Sequence, residues 1–251
     1  AVQGMTEVVD DFASKTLPKV SDMLTAVTSA DLSAGDNQVN IQPILDIKNS
    51  MNTVNAQVQQ QYKKMETLPT PHIGLVKNAY NQALGQFADI ADKLNQGNEI
   101  FSVLPNLLGQ DGQRTYLVFA ATTSESRSSG GLGGSLGSMT TNEGSFQMGD
   151  FYPNTEFEGA DSEVYTDSDK AFFPFSFDIR DQEVDPDFNN VAKNIATIWQ
   201  RSSHSTNVDG VMAIDPVFIQ ALVKLNGNVQ IPNGPLLTGD NTAQFLLNEI
   251  Y

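Results

Sequence analysis

Cysteine is absent from the 251-residue sequence, and histidine and tryptophan are scarce, with two and one residues respectively. Without cysteine the chain has no disulfide framework, no thiolate nucleophile and no cysteine-ligated zinc or iron–sulfur site. Two histidines also argue against a histidine-rich metal centre. Both His72 and His204 lie in predicted loops without the partners of a Ser-His-Asp arrangement, so we assign both side chains to solvent.

Basic residues and long apolar runs are also in short supply. The chain has 14 Lys and Arg against 30 Asp and Glu, a net charge of −16 with both histidines neutral. So negative a surface repels a phosphate backbone, and we predict no nucleic-acid partner. No apolar run reaches the roughly 18 residues that indicate a membrane-spanning helix. The sequence begins at Ala1 with neither an initiating Met nor a signal peptide, so we expect a mature or trimmed piece from which any upstream anchor has been removed.

Apolar residues recur at steps of three and four through the first hundred residues. The three stripes run from Met5 to Val27, from Ile44 to Met65 and from Ile73 to Leu94. This spacing predicts three amphipathic helices packed as an antiparallel bundle over residues 1–103. Pro18 is expected to kink the first helix. A spacer or stalk is the favoured interpretation of the bundle, and a partner-binding coiled coil is the alternative.

The pattern changes after residues 100–108, which we interpret as an apolar linker containing Pro105. Residues 115–120 form a continuous apolar run, which predicts a strand buried on both faces. Two further strands, 136–141 and 145–152, flank a predicted hairpin turn at Asn142-Glu143-Gly144. Strands at 208–214 and 228–232 alternate with helices that begin at Asp185-Pro186 and Asp215-Pro216, where each Asp is the expected N-cap. The alternation predicts an α+β or α/β domain with a mixed sheet over residues 104–251.

A glycine-rich segment, 128–135, follows the first buried strand, with Arg127 directly before it. It lacks the Gly-Lys-Ser/Thr of a Walker A motif and the third glycine of a dinucleotide fingerprint. Consecutive backbone N–H groups in such a turn can still form an anion nest. A flexible loop with a solvated Arg127 is the alternative interpretation.

Arg180-Asp181 follows an aromatic segment, 171–177, in a chain with few arginines. Arginine suits bidentate contact with phosphate, and nearby carboxylates suit Mg²⁺ over a pyrophosphate. The alternative is an Arg–Asp pair beside a helix cap.

Several motifs occur in a fixed order through residues 104–251. They are Leu104-Pro105-Asn106-Leu107-Leu108-Gly109, Arg114-Thr115-Tyr116-Leu117-Val118, Glu125-Ser126-Arg127-Ser128-Ser129-Gly130-Gly131, Arg180-Asp181 with Pro186-Asp187-Phe188, Val208-Asp209-Gly210-Val211-Met212-Ala213-Ile214-Asp215-Pro216, and Leu237-Thr238-Gly239-Asp240-Asn241. This set resembles domain-of-unknown-function family 4012, found in exported, membrane-anchored proteins of actinobacteria and their relatives. The resemblance implies a membrane helix before the bundle. It also implies a family pattern that continues past Tyr251, so we expect the natural protein to extend further.

That family is similar in turn to the LytR-CpsA-Psr family, whose members transfer glycopolymers from a polyprenyl pyrophosphate carrier to peptidoglycan. The similarity implies that Arg127 and Arg180 hold the pyrophosphate, and that Asp181 binds Mg²⁺ or acts in catalysis. The implied ligand-binding residues are Ser128, Gly130, Gly131, Phe173 and Phe175, with the two phenylalanines lining a lipid slot. Where the transferase family has an Asp soon after the first Arg, this sequence has Ser128 and Ser129.

The leading interpretation is therefore an extracellular cell-surface protein of Gram-positive type, tethered by a membrane anchor outside this chain. It would bind a polyprenyl-phosphate-linked glycan or cell-wall polymer and, as a glycopolymer transferase, pass it to the wall. Its expected fold is the helical bundle followed by a LytR-CpsA-Psr-like domain. A non-enzymatic wall-associated scaffold or adhesion module on the same fold is the alternative. An apolar tunnel ending at Arg127 and Arg180 would favour the first, and both arginines in surface salt bridges would favour the second.

Overall fold

Four helices form most of the N-terminal part of the chain in the computed structural model, which describes residues 2–35, 37–164, 167, 171 and 178–249, with Glu249 described by its backbone alone. They are α1 (Val2–Asp11), α2 (Leu17–Ser29), α3 (Ile41–Glu66) and α4 (Gly74–Leu107). None of the described helices has both the length and the apolar character needed to cross a membrane.

The helices pack antiparallel, as the contacts between them show. Between α3 and α4, Gln59 bonds to the carbonyl of Ala91, and further along α3 Met65 accepts a bond from the Tyr80 hydroxyl. Rising residue numbers on one helix therefore meet falling numbers on the other. The first helical segment also reaches α4, because the Phe12 ring lies edge-on to Phe87 at 5.0 Å between centroids. The predicted antiparallel bundle is confirmed.

A π-helical turn, Phe12–Thr16, joins α1 to α2. Proline lacks the N–H that continues an α-helical ladder, and Pro18 follows this wider turn within the first two positions of α2. The irregularity thus falls where a kink is predicted.

The linker predicted at residues 100–108 is wrong, because α4 continues through it to Leu107. The apolar residues there extend the stripe of α4 from Leu94 through Phe101 to Pro105 and Leu108, all buried or half-buried. Pro105 sits inside the last turns of the helix without ending it at once. The predicted boundary at residue 103 consequently lies within α4.

Two compact units result, Ala1–Gln113 with Thr141–Ser145, and Arg114–Thr140 with Phe146–Tyr251. The core of the first unit lies between its helices. Its buried residues are Val8, Met23, Met51, Val54, Val58, Met65, Tyr80, Phe87, Ala91 and Leu94.

The second unit is built on a four-stranded mixed sheet. Its strands are β1 (Arg114–Ser126), β2 (Gly131–Asn142), β3 (Ser145–Pro153) and β4 (Gly210–Ile214), in the order β3-β2-β1-β4. β4 runs parallel to β1, from Tyr116 opposite Gly210 to Ala120 opposite Ile214. The connections from β1 to β2 and from β2 to β3 are too short for anything but antiparallel pairing. A small antiparallel ribbon pairs β5 (Val229–Gln230) with β6 (Leu236–Leu237).

The hairpin turn between β2 and β3 forms at the predicted position. Glu143 and Gly144 both have positive φ, 48° and 82°, as a tight two-residue hairpin requires. The mixed α+β architecture is as predicted.

Further helices in the described part of the chain are α5 (Phe188–Arg201), α6 (Pro216–Asn226) and the short α7 (Thr242–Gln244), which a π-helical turn, Phe245–Glu249, follows. Asp215 caps α6 as predicted, with its Oδ1 accepting from the Phe218 N–H at 2.7 Å. The cap predicted for α5 is wrong by two residues. Asp187 accepts from the Asn189 N–H at 3.0 Å, whereas Asp185 accepts from the N–H of Asp187 itself.

The core of the second unit lies around β1, β2 and α5. Its buried residues are Leu117, Phe119, Ala121, Leu136, Phe157, Val164, Ile179, Val191, Ile195, Ile198 and Trp199. The assignment of His204 to solvent is wrong, because its ring stacks on Tyr152 at 3.5 Å between centroids and lies near Trp199. Packing against the apolar ring faces of both neighbours stabilises the buried imidazole. No local sequence pattern around His204 predicts this packing.

Candidate functional site

The glycine-rich loop between β1 and β2 is a tight, hydrogen-bonded turn. The Arg127 N–H donates to the Gly130 carbonyl at 3.1 Å, and the Ser129 N–H and hydroxyl donate to the Glu183 carbonyl at 3.0 and 3.2 Å. The Gly131 N–H donates to Glu183 Oε2 at 2.6 Å. The loop therefore holds a carboxylate from its own chain where the sequence suggested an external anion.

Glycine is required here because the loop lies against its neighbours. A Cβ on Gly130 would lie 2.5 Å from Glu183 Oε2, and one on Gly131 would overlap the Thr122 carbonyl. These glycines thus have a packing role, and their predicted contact with a ligand stays a prediction.

Arg127 is the arginine set deepest in this region, with 22% of its side chain exposed. Its Nη2 lies 3.4 Å from Asp181 Oδ1 and 3.9 Å from Glu125 Oε2, and its Nη1 donates to the Ser126 carbonyl at 3.2 Å. Strong arginine–carboxylate bonds measure about 2.7–2.9 Å. The guanidinium therefore keeps donors that a better-placed anion can engage.

A cleft of about 410 Å³ opens beside Arg127, lined by Ser126, Ser128 and Val184 as well. Ser128, a predicted ligand contact, thus shares a cavity with the first predicted catalytic arginine. The cleft combines one cation with two hydroxyl-bearing residues, which is a donor set suited to a phosphate oxygen.

Arg180 has a different environment. Its guanidinium pairs with Asp178, with Nε donating to Oδ1 and Oδ2 at 3.0 and 2.9 Å, and 55% of the side chain is exposed. The pair raises the pKa of Arg180, and the Arg180 hydrogen bonds lower the pKa of Asp178. Asp178 is a site residue that sequence reasoning passed over, although its spacing two residues before Arg180 was a usable signal.

Asp181 lies within reach of both arginines. It contacts Arg127, and its negative charge contributes, after Asp178, to the raised pKa of Arg180. The structure therefore brings Arg127 and Asp181 together, with Arg180 beside them. Phe173 and Phe175 lie outside the described residues, as does the rest of the aromatic run 172–177.

Glu183 is the second residue that sequence reasoning missed. It is 1% exposed, and its Oε1 has no hydrogen-bond partner among the described residues. Burial raises the pKa of Glu183, the bond from Gly131 opposes this, and the charge of Asp215 adds to it. Its only sequence signal is its place in the acidic stretch 181–187, and nothing in that stretch distinguishes the buried Glu183 from the exposed Asp187.

A family model described as a protein of unknown function, DUF4012, matches residues 111–251. The chain belongs to the DUF4012 family. No curated protein and no solved structure matches it. All the site residues discussed above lie inside the matched range, so the loop, both arginines and Glu183 belong to the DUF4012 domain.

The implied Mg²⁺ finds few ligands in this DUF4012 domain. Among the described residues, no group of three His, Asp or Glu side chains lies close enough to hold a metal ion. Asp181, 34% exposed, offers one carboxylate, and Arg127 already contacts one of its oxygens. Mg²⁺ commonly binds through one or two carboxylates and the phosphates of its substrate. The donor set fits a Mg²⁺ ion that arrives with a phosphorylated ligand and does not fit a resident one.

Proposed function

We propose that the DUF4012 domain binds a polyprenyl-phosphate-linked glycan at Arg127 on the outer side of a cell membrane. In the stronger form of the proposal, it transfers that glycan to a cell-wall acceptor. The observation that carries it is the cleft of about 410 Å³ where the sheltered Arg127 meets Ser126 and Ser128. The similarity to the LytR-CpsA-Psr family, the extracellular location and the membrane tether belong to this proposal.

The charge of the chain determines how the phosphate of the ligand would bind. A net charge of −16 repels an anionic ligand at long range, so binding depends on a local cation sheltered from solvent. Arg127 would exchange its 3.4 Å contact with Asp181 for shorter bonds to phosphate oxygens. Arg180, next to Asp181 in the chain, would add positive charge if its guanidinium turned from Asp178 to the phosphate. Mg²⁺ bound to Asp181 and the phosphates would neutralise further charge.

In the transfer step, the oxygen of an acceptor hydroxyl would bond to the glycan carbon as the bond from that carbon to the lipid phosphate breaks, and the hydroxyl proton would pass to the leaving phosphate. The guanidinium of Arg127 would stabilise the negative charge that grows on the leaving phosphate, which is commonly the largest catalytic contribution. Ser126 and Ser128 would orient that phosphate by donating hydroxyl hydrogen bonds.

A non-enzymatic scaffold or adhesion module is the second candidate. The observation that favours it is that both arginines already contact carboxylates of the chain, Arg127 with Asp181 and Arg180 with Asp178. In a scaffold the Arg127–Asp181 pair would hold the 178–184 segment against the loop, and the Arg180–Asp178 pair would stay within that segment.

Calorimetric titration with a short polyprenyl pyrophosphate, with and without Mg²⁺, separates the two candidates. We expect micromolar binding, about −8 kcal/mol, weakened at least tenfold in Arg127→Ala and less in Arg180→Ala. Arg201→Ala is the matched control, because Arg201 is exposed and donates to the Ser162 carbonyl instead. If the unmutated chain does not bind the pyrophosphate, the result would favour the non-enzymatic scaffold.

A further inference from the structure

A second cavity is lined by the later residues of the glycine-rich loop. It has a volume of about 270 Å³, and Ser129, Gly130 and Gly131 form one wall, whereas Ser126 to Ser128 line the Arg127 cleft. Glu183, Asp215 and Phe218 are among its other lining residues. Pockets for drug-sized ligands hold about 300–1,000 Å³, so this one suits a ligand of a single ring.

Glu183 gives the cavity a hydrogen-bonding group in need of a partner. The side chain is 1% exposed, and Oε2 is bonded to the Gly131 N–H, but Oε1 bonds to no described residue. Native proteins rarely leave a buried acceptor unpaired, and such groups mark a ligand or water site. Oε1 has almost no accessible surface, so the Glu183 side chain must turn slightly before a ligand in the cavity can donate a hydrogen bond to it.

The rest of the lining selects the chemistry of that ligand. Asp215 adds a second carboxylate, Thr123 and Ser129 add hydroxyls, and no Lys, Arg or His of the described part of the chain lines the cavity. A phosphate is therefore disfavoured here. A metal ion is disfavoured too, since the described residues contain no three-ligand group. Several acceptors without a cation favour a neutral ligand rich in hydroxyl groups.

Phe218 supplies the apolar part of the surface. It lies in the first turn of α6, lines the cavity, and remains 49% exposed. An exposed aromatic face beside carboxylates matches a sugar ring, which presents C–H groups on its faces and hydroxyls at its edge.

We propose that this cavity binds one sugar ring, with Glu183 Oε1 accepting a hydroxyl hydrogen bond and Phe218 packing on the apolar face of the ring. The assignment rests on the proposed function for the origin of the sugar alone, which would belong to the carrier-linked glycan or to its acceptor. The assignment of a sugar site depends only on the cavity and its lining residues.

Saturation-transfer NMR on the full chain tests the site with methyl glycosides of glucose, galactose, mannose and arabinose. We expect at least one to show transfer and a millimolar or lower Kd. Glu183→Gln should weaken that Kd at least tenfold, because the amide keeps the Gly131 bond and places a donor where Oε1 accepted. Ala213→Leu, which fills the cavity from an exposed position on β4, should abolish transfer. Glu158→Gln, an exposed glutamate outside the cavity, should leave the Kd unchanged.

The sugar site is overturned if none of the glycosides shows saturation transfer. It is also overturned if the Kd is the same in Glu183→Gln and in Ala213→Leu as in the unmutated chain. Tighter binding of ethanolamine than of any glycoside would overturn it in favour of a cation site. The pyrophosphate titration distinguishes the two proposals. Glycoside binding without pyrophosphate binding would overturn the proposed function and keep the sugar site. Pyrophosphate binding without glycoside binding would overturn the sugar site and keep the proposed function.

Discussion

The carboxylate of Glu183 accepts a 2.6 Å hydrogen bond from the backbone N–H of Gly131, across 52 positions of sequence. This bond, with those from Ser129 to the Glu183 carbonyl, fastens the glycine-rich loop to the segment that carries Asp181. Ser126 to Ser128 line the Arg127 cleft, whereas Ser129 to Gly131 line the cavity at Glu183.

Burial of Glu183 predicts a pH-dependent contribution to stability. Its pKa is raised above the ordinary 4.5, chiefly by burial, so the folded state binds the proton more tightly than the unfolded state. The resulting stabilisation is complete below pH 4.5 and is lost as the pH rises through the raised pKa. Glu183→Gln removes this dependence, so the stability of the variant relative to the unmutated chain should rise with pH. The rise should be about 1.4 kcal/mol for each pH unit that separates the two pKa values of Glu183, folded and unfolded. Urea unfolding of both proteins between about pH 4 and 8 measures this, and parallel curves would contradict it.

Adjacent glycines in β2 should respond differently to alanine. A Cβ on Gly133 would overlap the ring of Phe119, which is fully buried, whereas one on Gly134 would lie 3.6 Å from the Ala120 carbonyl, an ordinary contact. We expect Gly133→Ala to lower the free energy of unfolding by about 1–3 kcal/mol. Gly134→Ala should change it by about 0.5 kcal/mol or less. Denaturant midpoints decide the matter, and equal losses would refute the packing around Phe119.

A buried polar pair inside the helical unit gives a third prediction. Gln61 Nε2 donates to Thr16 Oγ1 at 2.8 Å, and both residues are buried. Thr16→Val leaves the Gln61 amide without this partner and should cost about 1–3 kcal/mol. Adding Gln61→Met removes the unpaired amide, so the double variant should recover much of the loss. A double-mutant cycle by thermal or urea unfolding measures the coupling, and strictly additive losses would argue against the bond.

The junction between β1 and β4 depends on Asp209. Its carboxylate accepts from the Thr115 N–H at 2.8 Å and pairs with Arg114 at 3.0 Å, and these bonds, led by that from Thr115, lower the pKa of Asp209. The stabilisation is therefore present above the ordinary value of 3.8 and is lost as the pH falls through the lowered pKa.

We expect Asp209→Asn to cost about 0.2–1 kcal/mol at pH 7, since both charged side chains are 38% exposed and solvent screens them. The cost should fade in acid. Asp150→Asn, on the exposed β3, is the matched control for the change in net charge. An equal change in both variants at neutral pH would show that the Asp209 contacts contribute nothing beyond the change in net charge.

Local patterns predicted the elements whose signals are local. The three-and-four spacing located the bundle helices, because a helix buries one face at that period. Asn142-Glu143-Gly144 located the hairpin, and Asp215-Pro216 located the start of α6, because caps and turns use the residues of one short segment. The error in the predicted linker has a physical cause. Pro105 suggested a linker, but packing along the α4 stripe outweighed the lost backbone bond.

By itself, the sequence determined the order of helices and strands, the acidic surface and the family to which residues 111–251 belong. The tertiary structure alone decided which charged groups meet. Arg127 contacts Asp181 across 54 positions, and Glu183 turns its carboxylate to Gly131. The residues next to each partner in the sequence do not predict such pairs, because the pairs form only when one segment folds over another and buries it. Hence the glycine-rich loop, whose sequence suggested a nest for an external anion, holds the carboxylate of Glu183, and the structure also shows the cavity beside that carboxylate.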